Sequence, residues 1–210
     1  MSLDVLLADD HVLCRQALKM LLEREGFNVS VEACDGQQAV RLASEVRPDL
    51  AVIDLAMPAL NGIDAARAIG KVSPRTKTIM LTMYTEDHFV IEALQAGVRG
   101  YVIKTQAAPE LVAAIRTVNQ GQIYLSPGVS AAIVDAYLTK SYAAADPLTP
   151  RERQILQLVA EGRTSKEIAD ALDLGVKSVE SYRTRVMHKL EIHNTAGLVR
   201  YAIRRGLVQA

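Results

Sequence analysis

Cysteine and large aromatic residues are scarce in this chain of 210 residues. It contains two cysteines and two phenylalanines, and tryptophan is absent. Cys14 and Cys34 fit neither a disulfide framework nor the ligand spacing of a zinc site, so we expect reduced thiols, as in a cytoplasmic protein. Cys34 lies in an apolar run, which predicts a buried position. The low aromatic content also argues against an aromatic-rich β-sandwich.

Long apolar runs are missing as well. No stretch approaches the roughly 18 uncharged apolar residues that a membrane-spanning helix needs. Residues 1–4 lead directly into a short apolar segment, without the charged start and long apolar core of a secretory signal peptide. We therefore expect a cytoplasmic protein that makes no contact with a membrane.

The net charge is zero, but the charges are unevenly distributed. Residues 1–146 contain 13 Lys and Arg against 17 Asp and Glu, a net charge of −4. Residues 147–210 contain 11 against 7, a net charge of +4. Two segments of opposite charge suggest different partners for each. The basic segment is the candidate for contact with nucleic acid, because neutralisation of phosphates drives that affinity.

The first 120 residues alternate between short apolar runs and longer segments with helical spacing. The apolar runs, rich in Val, Ile and Leu, cover residues 3–8, 29–34, 50–54, 78–82 and 100–103. Five nearly uninterrupted apolar strands separated by helices predict a parallel sheet with helices on both faces. The predicted fold class is therefore α/β, with a doubly wound five-stranded parallel sheet of the flavodoxin-like type.

Polar residues stand at the ends of four predicted strands. Asp9 and Asp10 follow the first strand, Asp54 ends the third, Thr82 ends the fourth and Lys104 follows the fifth. The carboxyl ends of parallel strands lie on one edge of a sheet, so we expect these side chains to share a cleft. Three carboxylates repel one another unless a cation joins them, and oxygen ligands in this number suit Mg²⁺. Asp54 could then attack an incoming phosphoryl group as a carboxylate nucleophile.

The order and spacing of these residues resemble those of a known family. The matching positions are Asp9-Asp10, Asp54-Leu55-Ala56-Met57-Pro58, Gly62, Thr82 and Lys104. In these positions residues 1–120 are similar to the receiver domain of bacterial two-component response regulators. The resemblance implies that Asp54 is the phosphoacceptor. It also implies that Mg²⁺ is held by Asp9, Asp10, Asp54 and the backbone carbonyl of Ala56.

The same resemblance assigns roles to three side chains around the acceptor. Lys104 would pair with the phosphoryl group, and Thr82 would reorient to hydrogen-bond it. Tyr101 stands where the family has an aromatic residue whose rotamer follows activation. A surface-packed aromatic is the alternative interpretation of Tyr101.

The β-α alternation stops past Gly121. Residues 121–147 contain a Ser-Pro-Gly turn, a predicted short helix that ends near Thr139, and an Ala-rich segment. We interpret them as a linker with a helical segment. It would join a first domain of residues 1–120 to a second domain of residues 148–210.

The second domain is helical in pattern as far as residue 205. Thr149 is a suitable N-cap, Pro150 occupies the first helical position, and Glu152 lies three residues after the cap. Breaks at residues 162–164, at residues 173–175 and near residue 193 divide the segment into four short helices. We therefore expect a small all-α domain.

Two of these helices form a helix-turn-helix pattern. A short amphipathic helix around Ile168 precedes a turn containing Gly175, and Val179, Val186 and Leu190 mark the inward stripe of the longer helix that follows. The second helix of such a motif can enter the major groove of DNA and read base edges. The candidate DNA contacts are Lys166, Lys177, Ser178, Glu180, Ser181, Arg183, Thr184, Arg185 and Lys189.

A second resemblance rests on short motifs in this domain. They are Leu148-Thr149-Pro150-Arg151-Glu152-Arg153, Val159-Ala160-Glu161-Gly162, Ser165-Lys166-Glu167-Ile168-Ala169, Ser178-Val179 and His188-Lys189-Leu190. Residues 148–208 thus resemble the LuxR-type module of the NarL/FixJ response-regulator family. Glu180 stands where many relatives have Lys, so we expect a different base preference, since Glu can accept a hydrogen bond from cytosine N4. The family's last helix, here about residues 194–205, usually forms a dimer contact, although core packing explains its apolar edge equally well.

Together the resemblances imply a transcription factor whose DNA binding is controlled by phosphorylation. A sensor histidine kinase would be the phosphodonor, double-stranded promoter DNA the target, and a homodimer the activated form. The unphosphorylated receiver would either block the recognition helix or fail to dimerise. A protein-binding or phosphate-sink module is one alternative, and a phosphatase of the haloacid dehalogenase class is another. Such phosphatases typically carry an acidic residue two positions after the nucleophile, where this chain has Ala56, so we expect no enzyme.

Overall fold

The computed structural model describes residues 2–127, residue 129 and residues 147–208. The helix predicted to end near Thr139, and most of the predicted linker, lie outside the described residues. Within the described part, no helix is both long enough and apolar enough to cross a membrane.

The first domain is built on one parallel sheet. Its strands are β1 (Asp4–Ala8), β2 (Asn28–Ala33), β3 (Leu50–Asp54), β4 (Lys77–Thr82), β5 (Gly100–Ile103) and β6 (Tyr124–Leu125). Their spatial order is β2-β1-β3-β4-β5-β6, and every neighbouring pair is parallel. The five predicted strands are confirmed, and the sheet has a sixth. This strand escaped prediction because two residues are too few to produce a recognisable apolar run.

Among the described residues, five helices cover the two faces of the sheet. They are α1 (Val12–Arg24), α2 (Gly36–Val46), α3 (Gly62–Val72), α4 (Asp87–Gln95) and α5 (Ala107–Asn119), the last preceded by a 3₁₀ turn (Lys104–Gln106). Successive strand residues point to opposite faces, so Leu6 of β1 joins the core under α2, α3 and α4, whereas Leu7 joins the core under α1 and α5. Both cores are continuous, which explains why the strands read as uninterrupted apolar runs.

The second domain consists of four helices around a third core. They are α6 (Pro150–Ala160), α7 (Ser165–Leu172), α8 (Val176–Leu190) and α9 (Thr195–Arg204). The predicted cap at Thr149 is confirmed, because its side chain and that of Glu152 form a reciprocal capping box at the start of α6. Ile168 and Val179 are fully buried between the helices, as the inward stripe predicted.

The prediction that Cys34 is buried was wrong, because the thiol is exposed. Cys34 directly follows Ala33, the last residue of β2, so it stands on the rim of the sheet beyond the core. Its backbone N–H donates to the Gln38 side chain at the start of α2. Both cysteines are free, and Cys14 is half-buried.

Candidate functional site

The carboxyl edge of the sheet brings the predicted polar residues together. Asp54 is the last residue of β3 and Thr82 the last of β4, while Asp9 and Lys104 directly follow β1 and β5. Strands β1, β3, β4 and β5 are consecutive neighbours in the sheet. The side chains of Asp9, Asp54 and Lys104 therefore meet, although up to 95 residues separate them along the chain, and Thr82 lies at the same edge.

Lys104 forms the centre of this cluster. Its Nζ lies 2.9 Å from Asp9 Oδ2 and 2.9 Å from Asp54 Oδ2. The side chains of Asp9 and Asp54 are 1% and 5% exposed, so both carboxylates depend on the protein for their charge compensation. One ammonium between two buried carboxylates leaves the cluster with an excess of negative charge, which favours a second cation.

The two buried carboxyl groups differ in their pKa values. Burial raises the pKa of Asp54 to about 6, in spite of the opposing effect of Lys104, and the charges of Asp9 and Asp10 add to the rise. Burial also acts to raise the pKa of Asp9, but the hydrogen bond and charge of Lys104 outweigh it, so the pKa falls below its usual value. Burial lowers the pKa of Lys104, but the neighbouring carboxylates raise it overall. Lys104 therefore stays charged, and Asp54 is the carboxyl group whose charge is least well stabilised.

The cluster has the composition of a metal site. Asp9, Asp10, His11 and Asp54 each offer a ligand atom, and these atoms lie within 4.8 Å of one another. Oxygens on opposite sides of an octahedral Mg²⁺ are about 4.2 Å apart, since each Mg–O bond is about 2.1 Å. The three carboxylates therefore fit Mg²⁺ with small movements of their side chains. Ala56, whose carbonyl is the predicted fourth ligand, lines the same cleft as Asp54.

His11 is a member of this cluster that the sequence prediction missed. Its Nδ1 lies 2.7 Å from Asp10 Oδ1, and its backbone N–H donates to Asp9 Oδ1 at 2.8 Å. The available signal was its position directly after the Asp9-Asp10 pair. His11 thus helps to orient the Asp9 carboxylate through its backbone N–H, and its ring lies beside the Asp10 carboxylate.

The cluster opens into a cleft of about 770 Å³. Met83, which is 60% exposed, and Tyr84 stand on one side of this cleft, with Cys14 on the other. Burial and the neighbouring Asp9 raise the pKa of the Cys14 thiol to about 11, so it stays protonated. The cleft can therefore admit a phosphoryl group, and its rim is mainly apolar.

Thr82 and Tyr101 are linked through Tyr84. The Thr82 hydroxyl accepts a hydrogen bond from the Tyr84 backbone N–H at 3.1 Å, and the Tyr101 hydroxyl donates to the Tyr84 carbonyl at 2.9 Å. Both Thr82 and Tyr101 are fully buried. The alternative interpretation of Tyr101 as a surface-packed aromatic is therefore wrong. Any movement of Thr82 toward Asp54 would disturb the segment that holds Tyr101.

Residues 55–62 form a tight loop behind Asp54, which we call the acceptor loop. The Gly62 N–H donates to the Leu55 carbonyl at 2.7 Å, and a Cβ at Gly62 would lie only 2.1 Å from the Asp54 carbonyl oxygen. Ala59 has a φ of +65°, in the left-handed region that L residues seldom adopt. The loop therefore needs a glycine at its end and support at its centre.

The second domain contacts this loop through α6. Gln157 donates from Nε2 to the Met57 carbonyl at 2.8 Å and accepts at Oε1 from the Asn61 N–H at 2.9 Å. Glu161, directly after α6, accepts from the Ala59 N–H at 2.9 Å. These contacts join residues about one hundred positions apart, and no local sequence pattern predicted them.

The predicted DNA-contacting residues lie on α7 and α8. Lys166, Lys177, Ser178, Glu180, Ser181, Thr184, Arg185 and Lys189 are exposed, and Arg183 is half-buried. Docking against the receiver therefore leaves this face accessible, so in this arrangement the first domain does not block it. Three of its cations are already bonded within the domain: Arg183 to Ser165 Oγ at 3.0 Å, Arg185 to Ser181 Oγ at 3.3 Å and Lys189 to Glu152 at 2.7 Å.

The fold and the carboxylate edge, joined to a helix-turn-helix domain, define the architecture of a response regulator. Two family models match the sequence. Residues 5–116 match the response regulator receiver domain, and residues 146–202 match the bacterial regulatory proteins of the luxR family.

Relatives with the same domain pair cover nearly the whole chain. The oxygen regulatory protein NreC of Staphylococcus epidermidis is 34% identical over 215 residues, covering 98% of this chain and 99% of that protein. The response regulator UvrY of Escherichia coli is 36% identical over 211 residues, covering 99% and 97%.

Solved structures resemble the chain over a similar length. The RcsB response regulator of Salmonella typhimurium superposes with a TM-score of 0.66 at 27% identity, covering 95% of this chain and 96% of that one. An RcsB–DNA complex superposes with a TM-score of 0.59 at 26% identity, covering 96% and 98%.

The chain therefore belongs to the two-component response regulators that combine a receiver domain with a LuxR-type DNA-binding domain. Members of this family regulate transcription and are not enzymes.

Proposed function

We propose that Asp54 accepts a phosphoryl group from a sensor histidine kinase and that its phosphorylation controls dimerisation and binding to promoter DNA. The observation that carries this proposal is the position of Asp54: buried, 2.9 Å from Lys104, and facing an open cleft. We further propose that residues 1–120 are the acceptor domain, residues 121–147 the linker and residues 148–210 the DNA-binding domain, acting in the cytoplasm where the DNA lies.

Asp9, Asp10, Asp54 and the Ala56 carbonyl are the proposed ligands of Mg²⁺. When bound, the ion supplies positive charge that neutralises the oxygens of the incoming phosphoryl group. The backbone N–H of His11 orients the Asp9 carboxylate, and the His11 ring lies beside the Asp10 carboxylate. Because the cluster has three carboxylates and one ammonium, the ion also completes its charge balance.

Phosphoryl transfer forms a bond between an Asp54 carboxylate oxygen and phosphorus and breaks the bond from phosphorus to the donor nitrogen. Lys104 then exchanges its contact with the Asp54 carboxylate for a contact with a phosphoryl oxygen. The Thr82 hydroxyl turns away from the Tyr84 N–H and donates a hydrogen bond to another phosphoryl oxygen. This movement releases the segment that the Tyr101 hydroxyl holds. Since the side chain of Ala56 offers no general base to activate a water molecule, hydrolysis of the acyl phosphate is expected to be slow enough for it to act as a signal.

The DNA-binding surface is proposed to be the exposed face of α8 with Lys166 of α7. Exposed Lys177, Ser181 and Arg185 are placed to reach phosphates or base edges, and the similar RcsB protein has been solved in complex with DNA. Glu180 is the proposed determinant of base preference. Arg185 shares its hydrogen bond with the exposed Ser181 on the same face. Arg183 is half-buried and Lys189 is paired with the buried Glu152, so we expect smaller contributions from these two.

The gating proposal is tested by measuring affinity for promoter DNA with and without acetyl phosphate or beryllofluoride. The wild-type protein should bind more tightly after treatment, and Asp54→Ala should not respond. The matched control is Glu45→Ala, which removes an exposed carboxylate from α2 and should respond like the wild type. An Asp54→Ala protein that responds equally would refute gating through Asp54.

The phosphate-sink alternative is tested on the same samples. Binding driven by phosphate contacts weakens as salt rises, because counterions are released from the DNA. Affinity that does not change with salt concentration would favour a module that binds protein rather than DNA.

A further inference from the structure

We propose that Gln157 and Glu161, in the DNA-binding domain, are positioning residues for the Mg²⁺ site of the receiver domain. By holding the acceptor loop in place, they would raise the affinity of Asp9, Asp10 and Asp54 for the ion. This inference rests on the proposed function, because it assumes that the carboxylate cluster binds Mg²⁺.

At its centre the acceptor loop has one hydrogen bond of its own, from the Leu60 N–H to the Pro58 carbonyl at 2.7 Å, on either side of Ala59. Ala59 holds a left-handed backbone conformation without being a glycine, and such residues persist only where their surroundings enforce them. The contact that secures the Ala59 N–H comes from Glu161 of the other domain. The docked domain therefore adds a contact at Ala59 that the hydrogen bonds of the loop itself do not supply.

Gln157 ties together the two sides of this loop. Its amide group donates to the Met57 carbonyl and accepts from the Asn61 N–H. One side chain therefore joins two loop residues that are four positions apart. Gln157 has no exposed surface, and it also donates to Glu161 at 3.0 Å. Hydrogen bonds of a fully buried amide are made without competition from water, so this clamp is specific in direction and distance.

Two ion pairs fix α6 and the end of α9 against the receiver. Arg153 Nε lies 2.8 Å from Asp64 Oδ2 on α3, and both side chains are less than 10% exposed. Arg205 pairs with Glu92 on α4. Because they join the second domain to both α3 and α4, these pairs limit the movement of Gln157 relative to the loop.

The clamped loop leads directly into the metal site. Asp54 and Ala56 border the same segment that Gln157 holds at Met57. A cavity of about 300 Å³ is lined by Asp10 and Ala56 from the receiver and by Glu161 from the other domain. The DNA-binding domain thus forms part of the wall around two proposed ligands of the ion.

The arrangement in the docked state indicates that the contacts of Gln157 and Glu161 raise the affinity for Mg²⁺ and do not lower it. The ligand atoms of Asp9, Asp10 and Asp54 already lie within 4.8 Å of one another while the clamp is closed. A loop that is ordered in advance loses less conformational entropy when the ion binds. Linkage is reciprocal, so Mg²⁺ should in turn favour the docked arrangement.

The test is isothermal titration calorimetry of the full-length chain with Mg²⁺ alone. Gln157→Met keeps the length of the side chain but removes its hydrogen bonds to Met57, Asn61 and Glu161. We expect the Kd to rise about five-fold or more, within the usual range of coupling between sites. Glu161→Ala should act in the same direction. Glu161→Gln keeps an oxygen that can accept from the Ala59 N–H and should restore most of the affinity.

Each outcome has a defined meaning. Circular dichroism melting of every variant distinguishes loss of the clamp from loss of the fold, and Glu161→Ala serves if Gln157→Met does not fold. An unchanged or tighter Kd in a folded variant overturns the inference while leaving the proposed function intact. A wild-type chain that binds no Mg²⁺ overturns both the inference and the proposed metal site.

Discussion

At the scale of single residues, Lys104 is the cation that compensates the buried carboxylates of the site. Its ammonium lies between two carboxylates that are almost inaccessible to water. Burial raises the pKa of Asp54 in spite of Lys104, and the charges of Asp9 and Asp10 add to the rise. Removing one member of a buried charge cluster leaves the others without compensation, which is far more damaging than losing a pair on the surface.

Lys104→Gln should therefore lower the free energy of unfolding by about 3 kcal/mol at neutral pH in the presence of a chelator. Added Mg²⁺ should recover part of the loss, since the ion can compensate Asp9 and Asp54 in place of the ammonium. Urea unfolding followed by circular dichroism gives both values. Lys19→Gln is the control, because Lys19 pairs with Glu32 on the surface and its loss should matter little. Equal effects of the two substitutions would contradict this account.

At the scale of secondary-structure elements, the start of α3 determines the shape of the acceptor loop. Asn61 caps the helix by accepting from the Asp64 N–H, and Gly62 approaches the Asp54 carbonyl closely. The same helix contains Gly70, where an added Cβ would meet nothing within 4 Å. The two glycines therefore offer a matched comparison within one helix.

Gly62→Ala should destabilise the protein by about 1–3 kcal/mol, because the new Cβ would force the loop away from Asp54. We also expect weaker Mg²⁺ binding, measured by calorimetry. Gly70→Ala should instead stabilise the protein by up to about 1 kcal/mol, since alanine favours the helix. If Gly62→Ala leaves both stability and Mg²⁺ affinity unchanged, the close approach at Asp54 has no consequence.

The strands and helices also differ in how well the sequence predicts them. Apolar runs predicted five strands, and caps and breaks predicted the four helices of the second domain, because these signals are local. The strand β6 was missed because two residues carry no periodicity. Cys34 was wrongly predicted to be buried, because an apolar run in the sequence does not show at which residue the strand ends. His11 was missed because a single histidine gains significance only from its neighbours in space.

At the scale of the whole molecule, His88 lies close to where the domains meet. Its ring lies 4.0 Å from that of Phe89, and a Cβ at Gly206 of the other domain would touch the Phe89 ring. Burial lowers the pKa of His88 below its usual value of 6.5, and the charge of Arg205 from the second domain lowers it further. The folded, docked protein therefore favours the neutral imidazole.

The expected consequence is a loss of stability in mild acid. The unfolded chain takes up a proton at His88 near pH 6.5, whereas the folded chain does so only at lower pH, so this contribution to stability is present above that pH and is lost as the pH falls below it. His88→Gln should therefore show a smaller decrease of Tm between pH 7 and roughly pH 5.5 than the wild type. His193→Gln, in the exposed turn after α8, is the control and should follow the wild type. Parallel pH profiles for His88→Gln and the wild type would contradict this assignment.

The amino-acid sequence by itself determined the two folds and the composition of the carboxylate site. Those features follow from local periodicity, from helix caps, and from the rule that parallel strands end on one edge of the sheet. Only the tertiary structure decided which residues hold the acceptor loop, which cations of the DNA-binding face are already paired, and that the recognition helix stays accessible beside the docked receiver. Contacts such as that between Gln157 and Met57 depend on how two separately folded domains pack, and no pattern within either domain encodes the position of the other.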